Sequence, residues 1–156
     1  MAKLIGKTTI HPILFYSGKI SGYIVWTLLL VSLLSIQDIN EFNLQRWGAI
    51  LLLCFGLMFA IVGIINLGKS TRLGIPEEDT ELKTNGLYKI SRNPVYLGFN
   101  LSTLSAILFL EHFIVLIMGI YSIFVYHWII LGEERYLESH FSEQYGEYKK
   151  KVRRYL

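Results

Sequence analysis

Charged residues are scarce in this chain. They make up 17% of its 156 residues, where an ordinary globular domain carries about a quarter, while 53% are hydrophobic and mean hydropathy is +0.43. That composition is too oily for a water-soluble domain of this size. Cysteine is nearly absent: Cys54 stands alone within an apolar run, so no intrachain disulfide can form, and it reads as a small packing residue. With no internal repeat, no low-complexity tract and no linker, the chain reads as one domain over 1–156. No small-x-small cleavage site follows the basic start "MAKLIGK", so the first apolar segment is expected to remain as an anchor.

What is present lies in four apolar stretches, 20–36, 47–67, 95–110 and 113–131, with the charge between them. At 1.5 Å per residue the second is long enough to cross a hydrocarbon core of roughly 30 Å. The expected fold class is therefore all-α: a polytopic membrane protein with four transmembrane helices. The third stretch is the shortest and suits a thin bilayer or an extension through Glu111. Only Glu111 and His112 separate it from the fourth, which predicts a tight hairpin.

The basic residues are one-sided. Of 15 Lys and Arg, all but Arg46 fall before the first stretch, between the second and third, or after the fourth. The positive-inside rule then predicts that both termini and the loop 68–94 are cytoplasmic, in a cell inner membrane of bacterial or archaeal type.

The stretch "GIINLGKS", residues 63–70, matches the phosphate-cradling pattern G-x-x-x-x-G-K-[ST]. Such a loop needs a strand before it and a helix after it. Here the pattern is the end of an apolar helix, so the match is read as a coincidence and Lys69 as a snorkelling charge. No metal site is read from the sequence.

Two cytoplasmic segments are richer than connectors require. In "LKTNGLYKISRNPVYLG", residues 82–98, Asn85-Gly86 marks a turn and Asn93-Pro94 a helix start, with Asn as N-cap and Pro at the first helical position. In "GEERYLESHFSEQYGEYKKKVRRYL", residues 132–156, two carboxylates leave the fourth helix, and Leu137, Phe141 and Tyr145 or Tyr148 recur at helical spacing. The expectation is a C-terminal amphipathic helix over 132–156 whose basic end, 149–154, is drawn to anionic lipid. Glu133 and Glu134 sit where desolvation is costly and a cationic partner is expected.

"GLYKISRNPVYLG" followed after a hairpin by "EERYLESHFSEQYGEYKKKV" resembles the isoprenylcysteine carboxyl methyltransferase family and its phospholipid methyltransferase relatives. The resemblance covers 67–152 and leaves out the first helix. It implies an integral membrane enzyme that moves a methyl group from S-adenosylmethionine to a lipophilic acceptor drawn from the bilayer, a prenylcysteine-like carboxylate or a lipid amine. Lipids rather than nucleic acid would be its partners. Residue by residue, it implies cofactor contacts from Tyr88, Arg92, Asn93, Pro94, Tyr96 and Gly98 and from Glu133 and Glu134, with Arg92 and Glu134 at the reacting centre. Many members carry His where this chain has Asn93, and an amide can neither take a charge nor act as a base. S-adenosylmethionine is a sulphonium with a carboxylate and an ammonium: carboxylates should meet its cations, and Arg92, Asn93 and the start of the third helix its anion.

His127, seven residues before Glu134 and so on roughly the same face, is the candidate base for an amine acceptor. Asn100, seven after Asn93, continues that face into the membrane as a candidate substrate contact. Two rival functions remain open. Nicotinamide-dependent sterol-type reductases resemble this hairpin but typically read R-H-P-N-Y-x-G-E, where this chain has Val95 and Phe99 at the places of that Asn and Glu. A non-catalytic four-helix membrane scaffold would bind no cofactor at all.

Overall fold

The computed structural model describes residues 8–36, 43–68 and 81–156. Among them there is no strand. The elements are α1 (Pro12–Leu34), α2 (Leu44–Leu67), a short 3₁₀ helix (Gly86–Lys89), α3 (Pro94–Leu110) and α4 (Phe113–Lys151). Three of these, α1, α2 and α4, are long and apolar enough to cross a membrane, whereas α3 has 17 residues, about 25 Å of helix. Large apolar side chains point outward in numbers no aqueous surface tolerates: Leu51, Phe55, Leu57, Met58, Ile61 and Ile65 on α2 alone are exposed.

α1 starts earlier than the uncharged run suggests. Pro12 occupies its first turn, where a missing N–H costs nothing, and Lys19 falls inside the helix and is buried. α2 opens on Asn43, whose side chain accepts from the Arg46 N–H at 2.8 Å, and ends at Gly68 with φ +56. Residues 63–67 are thus helical; Lys69 and Ser70 of the phosphate-loop pattern lie outside the described residues. Much of the loop 68–94 lies there too.

The residues α2 buries are all small: Ala49, Gly56, Ala60 and Gly63. They form a seam against α3. A Cβ on Gly98 would stand 2.5 Å from the Gly56 carbonyl and the Ala60 nitrogen, and the Ser105 hydroxyl donates across the seam to the Ala49 carbonyl at 2.6 Å. Gly18 and Gly22 make the matching approach of α1 to α4, against Val125 and Ser122. The Trp26 indole donates to the Thr103 hydroxyl at 2.9 Å and ties α1 to α3.

The α3–α4 hairpin turns at Glu111, in the left-handed region at φ 48, with Gln45 donating to its carboxylate at 2.7 Å. α4 then runs past its apolar part, which ends at Leu131, without a break. The expected boundary at 132 is absent because Gly132 stays helical and packs on Thr9; the break falls instead at Ser142 (φ 42, ψ −109). There the chain doubles back. In a straight helix Glu134 and Arg154 would stand about 30 Å apart, yet they are 2.9 Å apart.

Candidate functional site

The rim of the site is built on the end of α2. Asn66 accepts the Leu87 N–H at 2.8 Å, and Gly86, at φ +61, lies so close that a side chain there would collide with it. This delivers Tyr88 into the interior, where its carbonyl accepts the Tyr148 hydroxyl at 2.6 Å. Asn93 and Pro94 then open α3 at the expected positions. The Asn93 side chain, however, does not cap the helix: its amide donates to Glu134 at 3.1 Å and to the Arg154 carbonyl at 3.3 Å.

Glu134 is the hub of this arrangement. Arg92 grips it through Nε at 3.1 Å and Nη2 at 3.0 Å, while Arg154 holds the other oxygen through Nε at 3.0 Å and Nη2 at 2.9 Å. The Arg92 and Glu134 side chains are only 7% and 5% exposed. Burial alone would raise the Glu134 carboxyl, but the hydrogen bonds and charges of Arg154 and Arg92 outweigh it and hold the group below its ordinary value. Arg92 also donates through Nη1 to the Val152 carbonyl at 2.7 Å, and its backbone N–H goes to the Arg153 carbonyl at 3.0 Å. The tail is strapped across the opening of α3: Arg154 belongs to this cluster and Lys149 pairs with Glu138, while Lys150, Lys151 and Arg153 stay exposed.

Glu133, about 100° further round the same helix, faces the other way. It lines a cavity of about 260 Å³ together with Lys19 and Arg92. The aromatic walls are Tyr88, Tyr96, Phe99 and Tyr126, with Asn93 and Tyr23 beside them. The Tyr96 hydroxyl donates to the Glu133 carboxylate at 2.7 Å. Glu133 lies beyond the apolar part of α4, and burial pushes its carboxyl up to about 7, against the opposing pull of the Tyr96 hydrogen bond and the Lys19 charge.

Of the sequence-predicted residues, Tyr88, Arg92, Asn93, Tyr96 and Glu133 meet around this cavity. Others do not line it. Glu134 was expected to face a ligand's cation, and it is saturated by the chain's own guanidiniums. Pro94 is buried beside Gly63, and Gly98 is the close-packed centre of the α2–α3 seam, because a residue without a side chain is what that approach requires. His127 is engaged through Nδ1 by the Tyr155 hydroxyl at 2.7 Å and stacks on that ring, so the shared face with Glu134 does not bring it to the cavity. Asn100 is half-buried and its side-chain oxygen has no hydrogen-bond partner among the described residues.

Lys19, Tyr23 and Tyr126 were not singled out from the sequence, and Phe99 was noted only as standing where the reductase pattern has Glu. The signal for Lys19 was a lone cation four residues from aromatic Phe15 and Tyr23, and its ammonium sits 4.0 Å over the Phe15 ring. Arg154 was counted only as a lipid-facing charge.

A family model described as phospholipid methyltransferase matches residues 44–144. The protein-S-isoprenylcysteine O-methyltransferase of Schizosaccharomyces pombe is 28% identical over 117 residues, 71% of this chain and 49% of that protein. The chain thus spans about half the length of this curated relative. No solved structure matches. The family match takes in the seam, the rim, the hairpin and both glutamates, and leaves outside it α1 and the tail that carries Arg154. Since it covers well over half of the sequence, the chain belongs to the phospholipid methyltransferase family.

Proposed function

We propose that the protein transfers a methyl group from S-adenosylmethionine to a lipophilic acceptor, at the cytoplasmic face of a membrane that its four helices, the shorter α3 included, cross with both termini inside. The observation that carries this reading is the aromatic-walled cavity in which the buried Glu133 carboxylate faces the cations Lys19 and Arg92. The donor set fits a zwitterionic sulphonium, which asks for a carboxylate toward its cations, a guanidinium toward its carboxylate and ring faces beside its flat base. When bound, S-adenosylmethionine supplies an activated methyl group open to in-line displacement, so no covalent nucleophile is needed.

The chain's own residues bind, orient and exclude water. Glu133 attracts the cationic end, with Tyr96 fixing its carboxylate through the 2.7 Å hydrogen bond. Arg92, held rigid by Glu134 and the tail carbonyl of Val152, presents its remaining face to the cavity. Holding two reactants in line in this way can supply about 7 to 11 kcal/mol of the barrier. A carboxylate acceptor arrives ionised and needs no base, which agrees with a cavity that His127 does not line.

Calorimetric titration of the detergent-purified protein tests the reading. Heat is expected with S-adenosylmethionine or S-adenosylhomocysteine. Heat with a nicotinamide dinucleotide alone would transfer the site to reduction, and heat with neither would leave a scaffold.

A further inference from the structure

Arg92 borders the first cavity, yet every nitrogen of its guanidinium already donates inside the chain. Nε and Nη2 go to Glu134, while Nη1 goes to two backbone carbonyls of the tail, Val152 at 2.7 Å and Lys149 at 3.4 Å. A guanidinium offers a carboxylate two side-by-side pairs of N–H groups, one on its Nε edge and one between Nη1 and Nη2. Glu134 fills the first. The tail sits on the second, so a carboxylate entering the cavity meets the charge of Arg92 but no free pair of donors.

The two holds on Arg92 are unequal. Glu134 is a buried, charged acceptor, and hydrogen bonds to such a group are roughly twice as strong as those to a neutral carbonyl. The Lys149 and Val152 carbonyls are neutral and lie at the end of α4, where water satisfies such groups once they are released. Arg154, the side chain that anchors this stretch, is 33% exposed against 7% for Arg92. Beside it Lys150, Lys151 and Arg153 face solvent. The tail is therefore the member of the cluster that yields when a carboxylate competes for Arg92.

We propose that the tail is an autoinhibitory strap. The Val152 and Lys149 carbonyls hold the Arg92 donors that the carboxylate of S-adenosylmethionine takes, and the cofactor binds by displacing residues 149–154 while Glu134 keeps its hold on Arg92. This rests on the reading of the first cavity as a cofactor site and adds the sign of a coupling: docked tail and bound cofactor oppose one another, each weakening the other by the same factor. The strap lies beyond the family match, which ends at residue 144.

Trypsin reads the strap directly, since cuts after Lys150 and Lys151 follow how often it opens. For the parent protein in maltoside micelles, saturating S-adenosylhomocysteine is expected to speed release of the C-terminal peptide at least about threefold. S-adenosyl-3-thiopropylamine, the same molecule without its carboxylate, should bind and leave release unchanged. Arg154→Gln, which frees the tail from Glu134, should speed release without ligand and tighten S-adenosylhomocysteine by the same factor, at least about threefold, while leaving the decarboxylated analogue where it was. Arg135→Gln, an equal loss of charge at an exposed position of the same helix, should alter neither reading. Release slowed by S-adenosylhomocysteine in the parent overturns the proposal without any variant and makes the tail a lid that closes on its ligand. Unchanged release overturns it too, and so does equal opening by the decarboxylated analogue or weaker S-adenosylhomocysteine binding in Arg154→Gln. Calorimetry separates the two levels: binding without opening removes the strap alone, whereas no binding by either the parent or Arg154→Gln removes the cofactor site and the strap together.

Discussion

Glu134 and Glu133 leave the same turn of α4 into opposite surroundings. On the tail side, Glu134 accepts from two guanidiniums and an amide, and the chain's last turn is tied down around it. On the cavity side, Glu133 meets one phenol, and the nearest cations keep their distance. The difference separates two uses of buried charge. A carboxylate ringed by donors holds backbone together, because breaking the ring strands every partner. A carboxylate left with one donor is poised for a charge the protein does not itself contain.

The strongest way to break the comparison is Glu134→Ala. Removing it leaves Arg92 buried without a counter-ion, and a loss of about 3 to 5 kcal/mol is expected, read as a lowered melting temperature in detergent. A change no larger than that of a surface charge would place Glu134 with Glu133. Glu133→Gln should do the reverse: no loss of melting temperature and at least tenfold weaker binding of S-adenosylmethionine, about 1.4 kcal/mol.

Proton linkage sharpens the contrast. Because Glu133 is raised from 4.5 to about 7, the folded protein holds its proton more tightly than the unfolded chain. Its contribution to stability therefore falls as pH rises through that window and levels off above it. Glu134 is lowered, so its contribution is present above 4.5 and is lost as pH falls below it. Melting temperatures against pH should show both slopes, and Glu133→Gln should erase only the first. Cofactor affinity in the parent should rise from about pH 6 to about pH 8 as Glu133 ionises. The smallest effect is expected from Tyr155→Phe, which removes the hydrogen bond to His127: about 0.5 to 1.5 kcal/mol of stability, with cofactor binding unchanged.

Local chemistry made much of the architecture legible. Long uncharged runs announced the helices, Asn85-Gly86 the turn, Asn93-Pro94 the start of α3, and Glu111-His112 the hairpin. What escaped depends on contacts between distant residues. Gly132 looks like a helix end but serves as a flat place for Thr9, while Ser142, which carries no breaking signal of its own, takes a strained positive φ where the chain turns back. Gly98 resembled a residue that admits a ligand, and it admits α2 instead. The capture of Glu134 by Arg154 spans 20 residues and a reversal of the chain, which no helical periodicity reports. Lys19 was hidden because a cation at the edge of an oily run reads as flanking charge until the helix is seen to begin at Pro12.

The glycine seam also limits how the protein can open. Where α2 meets α3 at Gly56, Ala60 and Gly98, backbone rests on backbone and no pliable layer of side chains lies between. That half behaves as a fixed jamb. Any widening that lets a guest slip in sideways would have to come at the opposite wall, where α1 meets α3 through side chains, the Trp26 indole on the Thr103 hydroxyl, rather than backbone on backbone.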